Sequence, residues 1–248
     1  MFFDIALIVV GALIAVFGLY AGIVSVWLIV KYIKFNRRQN SAGLTGQEVA
    51  RKILDDNGLS HIKVKATGSI LFGNSYSHYF KKVRLRRFTR HERSITSLGM
   101  GAQKASLAIL DKEGDRDMRK RIRLYPLITF GPFAFIPLMT VGILLDYFFF
   151  HLTGIMTLVF AGIGLLFYVY SIVLSVLTLK TEKKAQEKAY EILKEKNLVN
   201  EEELGMLKEL FHLYNVQYIN DIILASLELL YTVLEIASYF QGSNSSKK

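Results

Sequence analysis

The sequence predicts a mainly α-helical membrane protein with about four membrane or interfacial helices and a small cytoplasmic α+β segment. Hydrophobic residues make up 52% of the 248 residues, and the mean hydropathy is +0.30. The uncharged apolar run from Ile5 to Val30 is longer than the about 20 residues that span a bilayer. A second, nearly continuous apolar stretch occupies residues 125–179, and a polar and strongly basic stretch separates the two.

Residues 1–38 form the predicted amino-terminal transmembrane helix and a basic segment that stops its transfer. Four basic residues follow the apolar run directly: Lys31, Lys34, Arg37 and Arg38. By the positive-inside rule, the amino terminus is outside the cell and residues 39–124 are in the cytoplasm. The run is too long for a cleaved signal peptide, and Asp4 stands where such a peptide is basic. We therefore expect a multi-pass protein of the cell membrane.

The cytoplasmic segment 39–124 contains signals for a helix and two strands. Thr45 and Glu48 have capping-box spacing, which predicts a helix that runs to about Asp56. Gly58 can end this helix in a left-handed turn. Side-chain character alternates in two runs, residues 61–67 and 81–87, which predicts a two-stranded ribbon across a loop at residues 73–77.

A helix rich in small residues is predicted after the strands. Thr89 and Glu92 again have capping-box spacing, so we expect the helix to begin at Thr89 and to run to Leu110. Glycine, alanine and serine recur within it at helical spacing. Because small residues let other helices approach closely, this helix should be surrounded by other parts of the chain.

Residues 125–179 read as a transmembrane helical hairpin. An acid, aromatic residues and a histidine interrupt the apolar sequence around residues 146–153, where we expect the turn. Basic residues flank both ends of the hairpin, which places both ends in the cytoplasm. Pro126, Pro132 and Pro137 are expected to kink its first arm.

The carboxyl-terminal part is predicted to be helical as well. Residues 180–212 read as cytoplasmic helices, the second of which is capped by Asn200. Residues 213–241 read as a membrane or interfacial helix, and residues 242–248 as a disordered tail. Asp221, Glu228 and Glu235 recur every seven residues in this helix, so they form one stripe that should face protein, water or the interface.

The positive charge of the chain is concentrated in one stretch. From Lys31 to Leu124 the sequence has 22 Lys and Arg residues against 8 Asp and Glu residues. The densest part contains Lys81, Lys82, Arg84, Arg86, Arg87, Arg90 and Arg93. The anionic cytoplasmic leaflet is the expected partner, because each basic residue near such a surface contributes about 1 kcal/mol. Nucleic acid is the alternative, but no nucleic-acid-binding motif accompanies the charge.

The start of the cytoplasmic segment carries a family resemblance. The matching residues are Gly43, Leu44, Thr45, Gly46, Glu48, Val49, Ala50, Arg51, Ile53, Leu54, Asn57, Gly58 and Leu59. On these residues the chain resembles the membrane-embedded neutral zinc metallopeptidase (YugP-like) family. The resemblance implies a zincin-like fold with a zinc-binding HExxH helix, a third acidic ligand after the membrane hairpin and an Asp-His-Tyr-Asp-Pro-like loop.

The positions that the resemblance assigns to the HExxH motif carry other residues here. The two histidines of this motif bind zinc and its glutamate acts as a general base, whereas this chain has Gln103, Lys104 and Leu107 at those positions. Glu182 is retained at the position of the third ligand, and the loop corresponds to residues 74–78. The five histidines show no metal-binding spacing. We therefore expect no metal, no cofactor and no catalytic residue.

These departures predict a pseudopeptidase, not an enzyme. Such a catalytically inactive relative would act as a binding, scaffold or regulatory subunit in a membrane complex. Its expected partner is another membrane protein, such as an active paralogue, and a homo-oligomer stays open. Two alternatives are an active membrane peptidase with a non-standard site and a small transporter or channel. Lys104 and Ser106 do not support a Ser/Lys pair, since side chains at i and i+2 of a helix point in different directions.

One contact follows from the resemblance. In the family's fold the HExxH helix and the segment of Glu182 converge on the metal. We therefore predict that Lys104 lies near Glu182 and that its ammonium group replaces part of the charge of the cation. Lys184 is a second candidate partner for this carboxylate.

Overall fold

A computed structural model describes residues 2–67, 73–125, 135–149 and 154–245 of the chain. The described part is mostly helical and contains one small sheet. Its elements are α1 (Phe2–Asn36), α2 (Gly46–Asp56), β1 (Lys63–Ala66), β2 (Ser75–Ser77), β3 (Lys82–Leu85), α3 (Arg87–His91), α4 (Ile95–Lys112), α5 (Arg116–Leu124), α6 (Phe135–Phe148), α7 (Ile155–Glu195) and α8 (Glu201–Ser245).

The chain divides into two compact units. The first, here called the apolar unit, comprises residues 1–22, 124–176 and 219–248, and the second, the polar unit, comprises residues 23–123 and 177–218. By length and composition, α1 and α7 are each long and apolar enough to cross a membrane, and α6 is a shorter apolar helix. Large apolar side chains such as Ile8, Leu19 and Leu166 are exposed on these helices. The expectation of about four membrane or interfacial helices is thus supported for two.

In the apolar unit, α6 and α7 are joined by a buried acid. The Asp146 carboxylate accepts hydrogen bonds from the backbone N–H groups of Met156 (3.2 Å) and Thr157 (2.8 Å) and from the Thr157 hydroxyl (2.7 Å). It therefore satisfies donors that the first turn of α7 leaves without a partner. Pro137 lies in the first turn of α6, where proline costs no helical hydrogen bond. The kinks expected at Pro126 and Pro132 lie outside the described residues.

Helices α7 and α8 are longer than the sequence analysis expects. The separate helix expected at residues 182–196 is the end of α7, and the helices expected at 200–212 and 213–241 are one continuous α8. Its first turn is capped as predicted, since the Asn200 side chain accepts from the Glu203 N–H at 2.8 Å. α8 continues to Ser245, so the predicted disordered tail is wrong up to that residue.

In the polar unit, α2 begins and ends as predicted. The Thr45 hydroxyl accepts from the Glu48 N–H at 3.2 Å, and the Glu48 carboxylate accepts from the Thr45 N–H at 2.8 Å. These hydrogen bonds favour the ionised carboxylate and lower the pKa of Glu48. Gly58 follows the helix with a φ of +67°, the left-handed conformation that the sequence indicates.

Helix α4 is the core of the polar unit, but it begins later than predicted. The Ser94 hydroxyl caps it by accepting from the Ser97 N–H at 3.0 Å, whereas Thr89 belongs to the short helix α3. Every residue of α4 from Ile95 to Leu110 is buried. A Cβ atom added at Gly101 would come within 2.3 Å of the Gly46 carbonyl oxygen, so the small residue permits α2 and α4 to cross closely. The expectation of a surrounded helix is confirmed.

The sheet has three strands in the order β1-β3-β2. β1 pairs with β3 in parallel and β2 pairs with β3 antiparallel. The predicted two-stranded ribbon across a loop is therefore wrong in its pairing, because β2 lies within the expected loop and forms an edge strand. Val83 and Leu85 are fully buried and attach the sheet to the core formed with α2 and α4.

Candidate functional site

The Glu182 carboxylate on α7 is held by three side chains from α4 and α5. Lys104 Nζ lies 2.6 Å and Gln103 Nε2 2.9 Å from Glu182 Oε2. Both terminal nitrogens of Arg121 lie 3.3 Å from Glu182 Oε1. The predicted proximity of Lys104 and Glu182 is confirmed by this geometry. We call these four residues the Glu182 site.

The Glu182 site is largely removed from water. The side chains of Lys104, Arg121 and Glu182 are 9%, 15% and 17% exposed, respectively. Burial alone raises the pKa of a carboxyl group, but the charges of Lys104 and Arg121 and their hydrogen bonds outweigh it, so the pKa of Glu182 is lowered. Arg121 also donates to the Thr181 hydroxyl at 2.8 Å, which fixes its orientation.

Sequence reasoning missed Arg121 and misplaced Lys184. Lys184 forms ion pairs with Asp115 (2.7 Å) and Asp117 (2.9 Å), not with Glu182. Arg121 belongs to a basic run that the sequence analysis reads as a topology signal. Only the packing of α5 beside α7 shows that one member of this run points to a buried acid.

Leu107, at the second histidine position of the motif, belongs to the core. It is fully buried in a cluster with Leu110, Met118 and Ala185. Because α4, α5 and α7 meet through this cluster, Leu107 holds in place the three helices that supply the Glu182 site.

The loop segment at residues 74–78, which the resemblance singles out, contacts α4 at Asp111. The Tyr76 hydroxyl donates to Asp111 Oδ2 at 2.6 Å, and His78 Nδ1 lies 2.6 Å from the same oxygen. Burial and the Asp111 carboxylate raise the pKa of Tyr76. Asn74 Oδ1 accepts a hydrogen bond from the Arg86 backbone N–H at 2.7 Å. The structure therefore brings Asn74 and Glu182 to one pocket and directs Tyr76 and His78 to Asp111.

That pocket lies within the polar unit and has a volume of about 310 Å³. Its lining residues come from four helices, α1, α4, α7 and α8, and from the segments that flank β2 and β3. They combine aromatic and apolar side chains with eight polar or charged ones: Tyr32, Gly73, Asn74, Arg86, Met100, Gln103, Lys104, Thr178, Leu179, Glu182, Gln186, Phe211, Tyr214, Asn215 and Tyr218. Concave sites that combine apolar walls with convergent polar groups are typical of ligand-binding pockets.

The remaining basic and acidic residues predicted from the sequence do not line this pocket, except Arg86. Lys82 and Arg84 lie on β3, and Arg90 donates to Gln47. On α8, Asp221, Glu228 and Glu235 are exposed, and Glu228 accepts from the Tyr168 hydroxyl at 3.0 Å.

Comparison with known proteins defines the family. A sequence profile of the family described as "Putative neutral zinc metallopeptidase" matches residues 7–237. The chain belongs to this family. It is also 27% identical over 178 residues to "Putative membrane protease YugP" of Bacillus subtilis (strain 168), a match that covers 71% of this chain and 74% of the relative. No solved structure matches the chain. The membrane location is consistent with this relative and with the two long apolar helices.

These comparisons correct the expectation that the chain is not an enzyme. Both the family and the relative are described as peptidases or proteases, so the chain belongs to a hydrolase family. The expectation of inactivity rested on the residues at the HExxH positions alone.

The residues of the Glu182 site do not fit the zinc ion that the family description implies. Zinc in proteins is bound by Cys, His, Asp or Glu. Of the residues at the presumed motif positions, Gln103, Lys104 and Leu107 are none of these, and both oxygens of Glu182 already accept hydrogen bonds. Within the described ranges, no three residues of those four types lie close enough to share a metal ion. We therefore derive no chemical step through zinc.

Proposed function

We propose that this membrane member of the peptidase family binds a polypeptide segment in the pocket beside Lys104 and Glu182. The pocket itself carries the proposal, because it combines about 310 Å³ of space with apolar and aromatic walls and with polar groups that converge on it. The relative is named as a protease, which supports polypeptides as the class of ligand.

The charges of the pocket favour a segment that carries a carboxylate. The two cations of the Glu182 site exceed its single negative charge, and Lys104 uses one of its three N–H donors on Glu182. Arg86 lines the same pocket, and its guanidinium makes no ion pair with any described residue. A carboxyl terminus or an acidic side chain of the bound segment can therefore be placed between Lys104 and Arg86.

Two amide side chains that line the pocket, Gln186 and Asn215, suit a peptide backbone. Gln186 Nε2 donates to Asn215 Oδ1 at 3.1 Å, and Asn215 Nδ2 donates to Gln186 Oε1 at 2.7 Å. Each amide nitrogen has a second N–H. The reciprocal pair is thus fixed in orientation and has donors left for the carbonyl groups of a ligand.

Two synthetic peptides test the proposal. Both carry fluorescein at the amino terminus and apolar residues before the carboxyl terminus, and they differ only in a free carboxylate or a carboxamide. We expect the full chain in detergent to bind the free acid about tenfold more tightly, which corresponds to about 1.4 kcal/mol. Fluorescence polarisation measures both affinities, and mass spectrometry of the recovered peptide measures cleavage.

Substitution of Lys104 links this preference to the pocket. In Lys104→Met the free acid should lose its advantage over the amide. Lys112→Met is the matched control, because Lys112 lies on the same helix but donates to the Asn57 carbonyl oxygen, away from the pocket. Equal affinities for the two peptides in the unsubstituted chain would contradict the proposal.

We also propose that the protein works in a complex with another membrane protein, a segment of which occupies the pocket.

A further proposal concerns orientation: the polar unit is cytoplasmic. The concentration of basic residues between Lys31 and Leu124 supports this orientation. The chain has no cysteine, so Ser77→Cys provides a single labelling site. We expect a membrane-impermeant thiol reagent to label it only after the cells are opened. Labelling in intact cells would contradict the orientation.

A further inference from the structure

The outer face of the sheet carries four basic side chains. In the register of the parallel pair, Lys63 is opposite Lys82 and Lys65 is opposite Arg84. Alternate residues of a strand point to opposite faces, and Val83 between Lys82 and Arg84 is fully buried. The four basic side chains therefore share the face that is turned away from the core. We call this set the basic sheet face.

The positive charge of the basic sheet face is not neutralised by neighbouring acids. None of its four side chains forms an ion pair with the residues that the structure describes. On β2, Ser75 and Ser77 are opposite Arg84 and Lys82, so the third strand contributes neutral hydroxyl groups. Like charges directly opposite each other on a sheet are unfavourable. An external anion would relieve this repulsion.

The electrostatic effect is visible in one member of the set. The pKa of Lys82 is lowered, first by partial desolvation and then by the charges of Arg84 and Lys65. Arg84 and Lys65 are thus close enough to Lys82 to disfavour its charged form. The three cations form a concentrated patch, in contrast to cations spread singly over a surface.

An exposed aromatic side chain lies against this patch. Phe80 is 67% exposed, and its ring centroid lies 4.4 Å from Lys82 Nζ and 5.7 Å from Arg84 Cζ. The neighbouring Tyr79 is 56% exposed. Aromatic and basic side chains exposed together are typical of surfaces that bind the headgroup region of anionic membranes.

We propose that the basic sheet face, together with Phe80, docks on an anionic lipid surface. Its four cations do not line the pocket, so this inference is independent of peptide binding. Two observations favour lipid over nucleic acid as the polyanion. The chain has two helices long and apolar enough to keep it at a membrane, and no nucleic-acid-binding motif accompanies its basic residues.

A fluorophore at Ser77 tests the docking. Ser77→Cys provides one thiol on β2, next to Lys82 in the register, for labelling with the polarity-sensitive dye bimane. The full chain is placed in nanodiscs of phosphatidylcholine alone or of phosphatidylcholine mixed with phosphatidylglycerol. We expect a shift of the emission to shorter wavelength only in the discs with phosphatidylglycerol. High salt should reverse the shift, because it screens exposed charges.

Charge reversal assigns the response to the basic sheet face. Lys82→Glu with Arg84→Glu should abolish the shift. If this charge reversal impairs folding, the milder Lys82→Gln with Arg84→Gln takes its place and should reduce the shift. Lys52→Glu with Lys208→Glu is the matched control, since both residues are exposed, lie on helices and change the net charge equally. The control should keep the full shift.

Three outcomes would overturn the proposal. The first is an unchanged emission in anionic nanodiscs, and the second is an equal shift in both kinds of disc, which would exclude attraction by charge. The third is a chain that shows no lipid response but binds a single-stranded RNA oligonucleotide. In this outcome the Lys82→Glu, Arg84→Glu variant loses RNA binding and the control variant keeps it. That result would assign the face to nucleic acid.

Discussion

The Glu182 site and the basic sheet face use the same kinds of residues in opposite ways. In the Glu182 site, Lys104 and Arg121 are buried and share one carboxylate at 2.6 and 3.3 Å. On the sheet, the basic residues of β1 and β3 face one another in register without an acid among the described residues. Buried cations must be paired because desolvation of an isolated charge is costly, whereas exposed cations can remain available for an external anion.

This difference separates two roles of positive charge in one polar unit. The ion pairs of the Glu182 site fix the side chain of Lys104 at the edge of the pocket, so its remaining donors are oriented before a ligand binds. The basic sheet face is not organised by internal partners, and its affinity should depend on the summed charge. We therefore expect single substitutions to have large effects at the first region and small effects at the second.

The largest effect is expected for Glu182→Gln. The substitution leaves both Lys104 and Arg121 buried without a carboxylate, and the loss of one member of a buried ion pair costs about 3–5 kcal/mol. Thermal unfolding of the full chain in detergent measures the loss. A change smaller than about 1 kcal/mol, which is typical of exposed pairs, would show that water reaches the site.

The same carboxylate makes stability depend on acidic pH. Because the folded-state pKa of Glu182 is lowered, its contribution is fully present above the unfolded pKa of about 4.3. It is lost as the pH falls through the lower folded-state pKa. Unfolding temperatures of the unsubstituted chain and Glu182→Gln should therefore converge in acid. A constant difference between them down to the lowest accessible pH would contradict the assignment.

A smaller loss is expected for Lys104→Met. Glu182 keeps Arg121 and the Gln103 amide after this substitution, so its charge is not stranded. The cost should be that of a hydrogen bond to a charged group, about 1.5–3 kcal/mol. Thermal unfolding under the same conditions checks the order of the two variants, and a larger loss for Lys104→Met than for Glu182→Gln would reverse it.

The smallest effect is expected on the sheet. Lys82→Gln removes a cation from a repulsive set without breaking an ion pair with a described residue. The free energy of unfolding should change by less than about 0.5 kcal/mol, as for most surface substitutions. A loss of more than about 2 kcal/mol would indicate that Lys82 has a structural partner and would remove the contrast between the two regions.

The sequence was informative where the signals are local. The capping box of Thr45 and Glu48 and the left-handed Gly58 depend on residues within one turn, and both are present in the structure. The capping-box spacing of Thr89 and Glu92 was misleading, because the backbone at Glu92 is extended and Ser94 caps α4 instead. Spacing alone cannot choose between two nearby caps.

The long-range features were predictable only in part. The contact between Lys104 and Glu182 followed from the family resemblance, whereas Arg121 could not be selected from among the basic residues around it. Similarly, the alternation of side-chain character indicated β1 and β3. It did not indicate that they pair in parallel, because β2 was not recognised as a third strand. The array of cations on the basic sheet face depends on that register. The predicted two-stranded ribbon does not have this register, so the sequence did not predict the array.

The most direct test of the contrast is a double-mutant cycle with Lys104→Met and Glu182→Gln. Thermal and denaturant unfolding of the unsubstituted chain, both single variants and the double variant give the coupling between the two side chains. We predict a coupling of at least about 1 kcal/mol, within the range measured for residues in contact, with the double variant less damaged than the sum of the singles. If the two losses add within about 0.3 kcal/mol, Lys104 and Glu182 are not coupled, and the Glu182 site does not hold Lys104 in the way that this account requires.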